Sequence, residues 1–269
     1  MGIDKTDIIK NMEERKEKEI EYYEKKAKEQ IINGENQGDF EGFNPFLLES
    51  YNFLKNFCQD KYRGKKILDY GCGNGVHSQW LENIAANLVA IDLSQKSLDI
   101  ARKRTEKTEF FLMDCENMDF SDNSFDVVFD GGTFSSLDLN KALPEIIRVL
   151  KPNGFLIGIE TFGHNPLTNL KRAFNKLTGK RTDWAVSHIF KTKDLKLAKK
   201  YFGKIETYYF HLISWAIFPF LKLPGAEPIL KLLEKIDHTL LFVFPFLKRY
   251  SFKIVFIFSF PKKYDKTSL

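Results

Sequence analysis

The sequence predicts an α/β protein in which helices cover both faces of a parallel β-sheet. Between residues 66 and 160, short apolar segments typical of buried strands alternate with segments of helical periodicity. A glycine-rich turn follows the first of these strands and leads into a helix. Because consecutive parallel strands are joined by right-handed crossover connections, this alternation places helices on both sides of the sheet.

The composition is that of an ordinary soluble globular protein. Of the 269 residues, 43% are hydrophobic and 29% are charged, which excludes a disordered chain, a collagen and a polytopic membrane protein. Cys58, Cys72 and Cys115 lie far apart, so a disulfide scaffold and a zinc ribbon are disfavoured. The first 26 residues lack the apolar core of a secretory signal. We therefore expect a cytoplasmic protein without a metal site.

Positive charge and phenylalanine are concentrated towards the C-terminus. Residues 199–269 carry twelve Lys/Arg against five Asp/Glu, and 11 of the 26 phenylalanines lie between residues 202 and 260. Such a segment is either a buried core surrounded by solvated lysines, which we favour, or a surface for nucleic acid or an anionic membrane. Its longest uncharged run, at 207–221, has 15 residues, fewer than the ~20 that a membrane-spanning helix needs.

The elements up to the glycine turn follow from periodicity and turn-forming residues. Residues 4–31 are highly charged, with apolar residues at helical spacing, and predict a helix. Residues 33–45 are rich in glycine and asparagine and predict a loop, and residues 46–57 predict a second helix. The apolar run at 66–70 predicts the first buried strand, and the glycines after it lead into a helix that reaches about residue 86.

Four further strands and the helices between them complete the alternation. The predicted strands are residues 87–92, 109–114, 125–129 and 155–160. The predicted helices are residues 94–104, with Ser94 as the N-cap, and 141–150. Beyond this point the pattern changes. We expect irregular or helical structure at 161–190, a helix at 192–201, strands at 204–212 and 252–260, and mostly helical residues between those two strands.

Acidic residues follow the first three strands, at the edge where parallel α/β sheets bind ligands. The turn Gly71-Cys-Gly-Asn-Gly75 lets a ligand approach backbone N–H groups, although its spacing differs from the dinucleotide pattern G-x-G-x-x-G. Asp69 suits a ligand with an ammonium group, Asp92 a pair of ribose hydroxyls, and Asp114 an adenine amino group. Each acid alone is equally well explained as a helix cap or a solvated strand end. Together they predict a ligand site.

At these residues the sequence resembles the class I S-adenosylmethionine-dependent methyltransferases. Four segments carry the resemblance, in the expected order: ILDYGCGNG (67–75), VAIDLS (89–94), MDCENMDFSDNSFDVVF (113–129) and IIRVLKPNGFLIGIE (146–160). They are specific to the superfamily rather than to a substrate. The resemblance implies S-adenosylmethionine (SAM) as the cofactor. It also implies a Rossmann-like seven-stranded sheet whose last two strands form a closing pair, one of them antiparallel.

The resemblance also implies the residues of the cofactor site. Asp69 and the glycine turn would hold the methionine part of SAM, Asp92 the ribose, and Asp114 with Cys115 the adenine. The turn at Asp130 and Gly131 would face the sulfonium and the acceptor. The implied cofactor-binding residues are Asp69, Gly71, Cys72, Gly73, Asn74, Gly75, Asp92, Leu93, Asp114, Cys115, Asp130 and Gly131.

The other segments are interpreted around this domain. Residues 1–60 are expected to form an N-terminal helical lid and residues 61–269 the methyltransferase domain, with 161–190 and 213–250 as cap insertions. The second insertion is too apolar to be disordered and is predicted to roof the acceptor pocket. Its flanking lysines also suit peripheral contact with an anionic membrane surface. The alternative is that it completes the core or a dimer interface, and the oligomeric state stays open.

Candidate catalytic residues come from a narrower resemblance and from chemistry. Residues 160–172 resemble a motif of a bacterial small-molecule methyltransferase subgroup, part of which carries Glu-His-Pro near the position of His188; only the histidine is matched here. Histidine is the usual base near neutral pH, and His164 lies just beyond the fifth strand. Tyr23, beside Tyr22 on the N-terminal helix, is placed to set its ring against a sulfonium. For each candidate the alternative is structural packing.

The turn after the fourth strand narrows the acceptor class. In this superfamily, enzymes that methylate amino groups of bases often carry Asn/Asp-Pro-Pro-Tyr/Phe there, whereas this chain has Asp130-Gly-Gly-Thr133. Nucleobase methylation is therefore disfavoured, and we do not expect a nucleic-acid partner. We expect methyl transfer from SAM to O, N or C of a small apolar or amphipathic acceptor. The alternatives are a non-catalytic or membrane-surface binding protein with this fold, and an RNA methyltransferase.

Overall fold

The protein is built on one seven-stranded sheet; the computed structural model describes residues 14–32, 44–166, 169–170 and 182–263. The strands are β1 (Lys66–Tyr70), β2 (Asn87–Asp92), β3 (Glu109–Leu112), β4 (Phe125–Asp130), β5 (Leu150–Thr161), β6 (Phe202–Phe210) and β7 (Lys253–Pro261). Their order is β3-β2-β1-β4-β5-β7-β6. β7 is antiparallel to both neighbours, and the other pairs are parallel. The predicted Rossmann-like sheet with its closing pair is confirmed.

Helices cover both faces of the sheet. They are α1 (Glu14–Ile32), α2 (Glu49–Lys61), α3 (Ser78–Leu81), α4 (Gln95–Ala101), α5 (Leu139–Val149), α6 (Asp183–Ser187), α7 (Thr192–Tyr201) and α8 (Ala226–Val243). Short 3-10 helices cover Pro45–Leu47, Phe134–Ser136, Ser214–Phe220 and Pro245–Tyr250. Residues 4–13 of the first predicted helix, the predicted loop up to residue 43 and part of the segment 161–190 lie outside the described residues.

Several elements end earlier than predicted: β3 at Leu112, α4 at Ala101, and α3 and β6, for which the local cause is visible. α3 ends at Leu81 because the Ile84 N–H donates to the carbonyl oxygen of Leu81 at 3.0 Å, three residues back, which is the tighter 3-10 pattern. β6 ends at Phe210 because His211 has a φ of 62°, outside the β region.

The sheet separates two hydrophobic clusters, and β7 shows how. Successive side chains of a strand point to opposite faces. Ile254 and Phe256 belong to the cluster covered by α5 and α7, whereas Val255 and Ile257 belong to the cluster covered by α2. All four are buried. This alternation assigns each residue at the ends of β5 and β7 to one face of the sheet.

Two glycines bring the turn after β1 close to its neighbours. Gly71 has a φ of 70°, and a Cβ there would overlap the side chain of Thr133. Thr133 Oγ1 instead donates to the carbonyl oxygen of Gly71 at 3.0 Å. At Gly75, with a φ of 79°, a Cβ would lie 2.7 Å from the Cβ of Ala101. The turn is therefore packed against the loop after β4 and against α4.

The segment 213–250 is helical, as predicted, and is anchored by buried acids of α8. Glu234 Oε1 accepts from the Glu49 N–H of α2 at 2.9 Å. Asp237 accepts from the N–H groups of Ile213 and Ser214 at 2.8 and 3.1 Å. Within the described ranges, no helix combines the length and apolar character that crossing a bilayer requires.

Candidate active site

A cavity of about 340 Å³ opens at the carboxyl edge of the parallel strands. The loops after β1 to β5 line it, together with one face of α1, the end of α6 and the start of β7. Ligands of parallel α/β sheets bind at this edge because loops from neighbouring strands converge there.

Most of the predicted cofactor-binding residues line this cavity: Asp69, Gly71, Cys72, Gly73, Asn74, Asp92, Leu93, Asp114, Cys115 and Gly131. Gly75 and Asp130 do not. Gly75 packs against α4, and Asp130 is buried below the turn, where it accepts from the Thr133 N–H at 2.9 Å. For these two residues the prediction is corrected, because they shape the loops instead of facing the cavity.

Asp69 is a buried carboxyl at the end of β1. It accepts a hydrogen bond from Ser78 Oγ at 2.6 Å. Burial raises the pKa of the Asp69 carboxyl to about 7; the Ser78 hydrogen bond opposes this shift, and the nearby Asp92 adds to it. A carboxyl in this state gains a favourable partner when a cation enters the cavity, because the cation stabilises its ionised form.

Asp92, at the end of β2, organises the backbone around it. Its Oδ2 accepts from the Gly73 N–H and its Oδ1 from the Ser94 N–H, both at 2.8 Å. Burial raises the pKa of Asp92, and these backbone donors oppose the shift. Since each carboxylate oxygen has a second lone pair, Asp92 retains acceptor capacity for two ligand hydroxyls.

Asp114, beyond the end of β3, is covered by α1. Lys16 Nζ lies 2.6 Å from Asp114 Oδ2 and 3.0 Å from Glu116 Oε2. Arg15 Nη2 lies 2.6 Å from Glu116 Oε1. Beside them, burial raises the pKa of the Cys115 thiol well above its usual range, so Cys115 is not a thiolate nucleophile at neutral pH.

Tyr23 lines the cavity from the same face of α1. Its hydroxyl lies 3.3 Å from Ser136 Oγ, in the segment after β4. One end of α1 is also tied to the glycine turn, because Asn74 Nδ2 donates to Gln30 Oε1 at 3.2 Å. α1 is therefore fastened to loops on several sides of the cavity.

The two histidines predicted to be catalytic do not line the cavity. His164 Nε2 accepts from the Thr192 N–H at 3.1 Å, and its ring lies edge-on to Phe162. The His188 ring stacks on Trp184 with the centroids 3.6 Å apart. We therefore correct the expectation that either one faces the acceptor, since both are held by local packing.

Three residues outside the predicted site line the cavity on the α2 side of the sheet: His77, Thr161 and Lys253. Lys253 is buried, and its Nζ donates to Thr161 Oγ1 at 3.2 Å. His77 is also buried, and its Nδ1 accepts from Trp80 Nε1 at 3.3 Å. His77 comes just after the glycine turn, and this position is the sequence signal for it. Lys253 belongs to no motif.

A buried carboxyl pair lies on the opposite face of the sheet. Burial and the neighbouring Glu160 raise the pKa of Asp130 well above its usual range, because both disfavour its ionised form. Glu160 lines the cavity, and its Oε2 accepts from the Thr161 N–H at 3.2 Å.

The prediction that residues 213–250 roof the cavity is wrong. None of them lines it, because the segment packs against α2 and β6. The apolar walls come from other elements, namely Ile20 of α1, Val186 and Ile189 in and after α6, and Phe252 before β7.

The fold and the cavity define a class of protein. A seven-stranded sheet with an antiparallel β7 combines here with a glycine turn after β1 and acids beyond the ends of β1, β2 and β3. These are the features of the class I SAM-dependent methyltransferases. The carboxylates also fit SAM chemically, since the cofactor presents an ammonium group, ribose hydroxyls and an adenine amino group.

Comparison with known proteins finds methyltransferases similar to part of the chain. Residues 68–158 match the family model described as a methyltransferase domain. The chain is 30% identical over 129 residues to malonyl-[acyl-carrier protein] O-methyltransferase of Pectobacterium atrosepticum, covering 47% of this chain and 51% of the relative. It is 34% identical over 116 residues to demethylmenaquinone methyltransferase of Clavibacter sepedonicus, covering 42% and 47%. The chain thus spans about half the length of the curated relatives it matches.

A solved structure supports the fold assignment. N-methyltransferase NodS from Bradyrhizobium japonicum, solved in complex with S-adenosyl-L-homocysteine (SAH), aligns with 90% of this chain and 100% of its own, with a TM-score of 0.56 and 12% identity. Residues 68–158 are thus similar to a methyltransferase domain, the seven-stranded sheet has the class I methyltransferase fold, and the cofactor that these similarities indicate is SAM.

Proposed function

We propose that the protein transfers the methyl group of SAM to a small apolar or amphipathic acceptor. The observation that carries this proposal is the composition of one cavity. Asp69, Asp92 and Asp114 offer carboxylates to the three polar ends of the cofactor. The same cavity has apolar walls that include Ile189 and Phe252, and these suit an acceptor with hydrocarbon character.

The residues divide the work of holding and orienting the cofactor. Asp69 pairs with the ammonium group, Asp92 accepts from the ribose hydroxyls, and Asp114 accepts from the adenine amino group. When bound, SAM supplies a methyl group activated by a sulfonium. The contribution of this chain is to fix orientation and to exclude water, which converts the transfer into an effectively intramolecular step.

We infer that α1 acts as a lid over this site. Lys16 occupies one oxygen of Asp114 and Tyr23 lies beside Ser136, so α1 bridges the adenine side and the loop after β4. An incoming adenine amino group has to share Asp114 with Lys16. Cofactor entry is therefore coupled to the position of α1. Tyr23 is the residue of α1 that we expect to contact the sulfonium.

The proposed acceptor class agrees with the names of two relatives. One is named for demethylmenaquinone and one for the malonyl group of an acyl-carrier protein. The apolar walls of the cavity in this chain favour an acceptor of the same general kind.

The proposal is tested by binding and turnover together. Calorimetry should show SAM binding to the purified protein, and tritium transfer from labelled SAM should be seen with quinol or acyl acceptors but not with sugars or nucleosides. Turnover confined to tRNA or a sugar would contradict it. SAM binding without transfer to any acceptor would instead favour the non-catalytic alternative.

We further propose peripheral contact with an anionic membrane through the outer face of the segment 213–250. α8 is apolar on its exposed side as well as on its buried side, with Ile229, Leu232, Ile236 and Val243 exposed at helical spacing. Phe242 is 86% exposed and Phe246, in the following 3-10 helix, is 67% exposed. An exposed apolar patch of this kind on a soluble domain is typical of an interaction surface.

The charges around this face favour a membrane of anionic lipids over one of neutral lipids. Lys222, Lys235, Lys248 and Arg249 are exposed beside it, whereas Glu234 and Asp237 of α8 are buried and point inward. Basic residues next to an apolar helix face attract anionic lipids, at about 1 kcal/mol for each residue near the surface.

Vesicle flotation tests this contact. The protein should float with vesicles that contain phosphatidylglycerol, and less so with pure phosphatidylcholine or at high salt, because salt screens exposed charges. Replacing both Phe242 and Phe246 by Glu should abolish flotation. Phe260→Glu, at an exposed phenylalanine of β7, is the matched control. Equal flotation of the double variant and the control would refute the contact.

A further inference from the structure

His77, Tyr51 and Lys253 form one cluster at the wall of the cavity. The Tyr51 ring is stacked nearly parallel on His77, with centroids 5.9 Å apart and an interplanar angle of 9°. On the same Tyr51 ring lies Lys253 Nζ, 5.4 Å from its centroid. Thr161 completes the cluster through its hydrogen bond from Lys253. The cluster therefore joins α2, the glycine turn, β5 and β7.

The proton of His77 is assigned by its partner. Trp80 Nε1 can only donate, so Nδ1 of His77 is the acceptor and the proton of the neutral ring is on Nε2. Burial and the positive charge of Lys253 lower the pKa of His77 to about 4, so the ring is neutral at physiological pH. Nε2 lies beside Gly131, where a Cβ would be 3.2 Å away. His77 therefore offers a donor to the cavity, and not a base.

The sheet places two neighbouring acids, Glu160 and Asp130, on the face opposite this donor cluster. In the antiparallel register Thr161 pairs with Lys253 and Glu160 pairs with Ile254. Paired residues share a face, so Lys253 and Thr161 lie on the α2 face with Val255. Glu160 lies on the other face, with Ile254 and Asp130. Asp69 shares the α2 face with the cluster, because it pairs with Phe129 of that face, and it is held by the hydrogen bond from Ser78 Oγ at 2.6 Å. The sheet thus separates the donors from Glu160 and Asp130, while Asp69 is the acid assigned to the ammonium group of SAM.

Resting on the methyltransferase function proposed above, we propose that His77 and Lys253 form an anion-binding corner that holds an ionised oxygen of the acceptor. This assigns the acceptor to the oxygen acids, such as a carboxylate, phenolate or enolate with an apolar body. A lone pair of the ionised oxygen forms the new C–O bond as the methyl–sulfur bond breaks, and the electron pair of that bond goes to sulfur. No proton is removed, so the transfer needs no general base.

Binding of matched probes tests the corner directly. Octanoate, octanamide and octylamine share one apolar chain and differ in charge. Calorimetry on the SAH-loaded protein should show that octanoate binds about tenfold or more tightly than octanamide, since hydrogen bonds to charged groups are stronger than neutral ones. Octylamine should bind weakest. Equal affinity for the acid and the amide, or no binding of octanoate at millimolar concentration, would overturn the proposal.

Substitutions at Lys253 and His77 test whether these two residues bind the carboxylate of octanoate. Lys253→Met retains the apolar stem and should weaken octanoate about tenfold or more while leaving octanamide unchanged. His77→Phe retains the stacked ring and should weaken octanoate by a smaller factor. Lys262→Met, at an exposed lysine just beyond β7, is the matched control and should bind octanoate like the wild type. Unchanged octanoate binding by Lys253→Met would refute the corner.

Calorimetry with SAM separates this proposal from the function on which it depends. Each variant should bind SAM like the wild type, which also shows that it is folded. If the wild type fails to bind SAM, the proposed function fails, while the octanoate and octanamide comparison can still be made without SAH. In crystals soaked in sodium bromide, an anomalous peak between Lys253 Nζ and His77 Nε2 is a second readout, and its absence would count against the corner.

Discussion

Asp92→Ala is expected to weaken SAM binding by at least about tenfold, because it removes acceptors for the ribose hydroxyls that are worth about 1.5–3 kcal/mol. The substitution also removes hydrogen bonds that Asp92 accepts from the backbone. The Gly73 and Ser94 N–H groups each lose a partner at 2.8 Å, so the glycine turn and the start of α4 lose their common support. Calorimetry with SAM and SAH measures the change.

A ligand lacking both ribose hydroxyls separates these two effects. The 2′,3′-dideoxy analogue of SAH should bind the wild type about tenfold more weakly than SAH, and this difference should vanish in Asp92→Ala. Asp99→Ala, which removes an exposed carboxylate of α4 paired with Arg102, is the control and should bind both ligands normally. An unchanged dissociation constant for SAH in Asp92→Ala would remove Asp92 from the ribose site.

The fold was predictable because its signals are local. The apolar runs at Lys66–Tyr70 and Asn87–Asp92 and the helix at Thr192–Tyr201 have the predicted bounds. Each of these three elements is bounded by glycine, aspartate or a cap. Each is also short, so its hydrophobic periodicity and its length indicate the same type of element. Ser94 accepts from the Ser97 N–H as a helix cap. The closing pair came from the resemblance, since nothing local to β7 specifies that it lies between β5 and β6.

The cofactor part of the site was predictable for the same reason. What the structure bears out is their place: Asp69, Asp92 and Asp114 lie at or just beyond the ends of β1, β2 and β3, and parallel strands end at one edge. The side chains that pair with these acids in the folded protein were not predictable. Lys16 and Asp114 are 98 residues apart in the sequence, and no periodicity of α1 marks that lysine among its other charged residues.

The cluster that we propose to hold the acceptor was not predictable, because it depends on the strand order. Lys253 is beside Thr161 since β7 inserts next to β5, and by sequence it is one of several lysines in a basic segment. The wrong prediction for His164 and His188 has the opposite cause, because there the sequence position gave a signal that the structure does not support. Their sequence position at the ligand edge suggested catalysis, but the rings turn towards Phe162 and Trp184. The insertion 213–250 misled likewise, because its apolar residues face α2, β6 and the surface.

SAM affinity is expected to depend on pH through Asp69. Burial raises the pKa of this carboxyl to about 7 in the free protein, and the ammonium group of SAM binds its ionised form. At pH 5.5 only a few per cent of Asp69 is ionised and at pH 7 about half is, so affinity should rise about tenfold over this interval. Above pH ~8 the α-amino group of the ligand loses its own proton, and affinity should fall again.

Asp69→Asn isolates this effect, because the amide oxygen can still accept from Ser78 Oγ but the charge is gone. The variant should bind SAM about tenfold or more weakly than the wild type at pH 7.5, since a buried charge pair is lost. It should also show no rise in affinity between pH 5.5 and pH 7, whereas Asp99→Asn should keep the wild-type profile. Calorimetric titrations across this pH range provide the measurement. A wild-type affinity that is flat over the same range, or a pH-dependent rise that persists in Asp69→Asn, would show that another group controls binding. The direction of the slope follows from the raised pKa alone: protonation, favoured by burial, competes with the ammonium group for the same carboxyl.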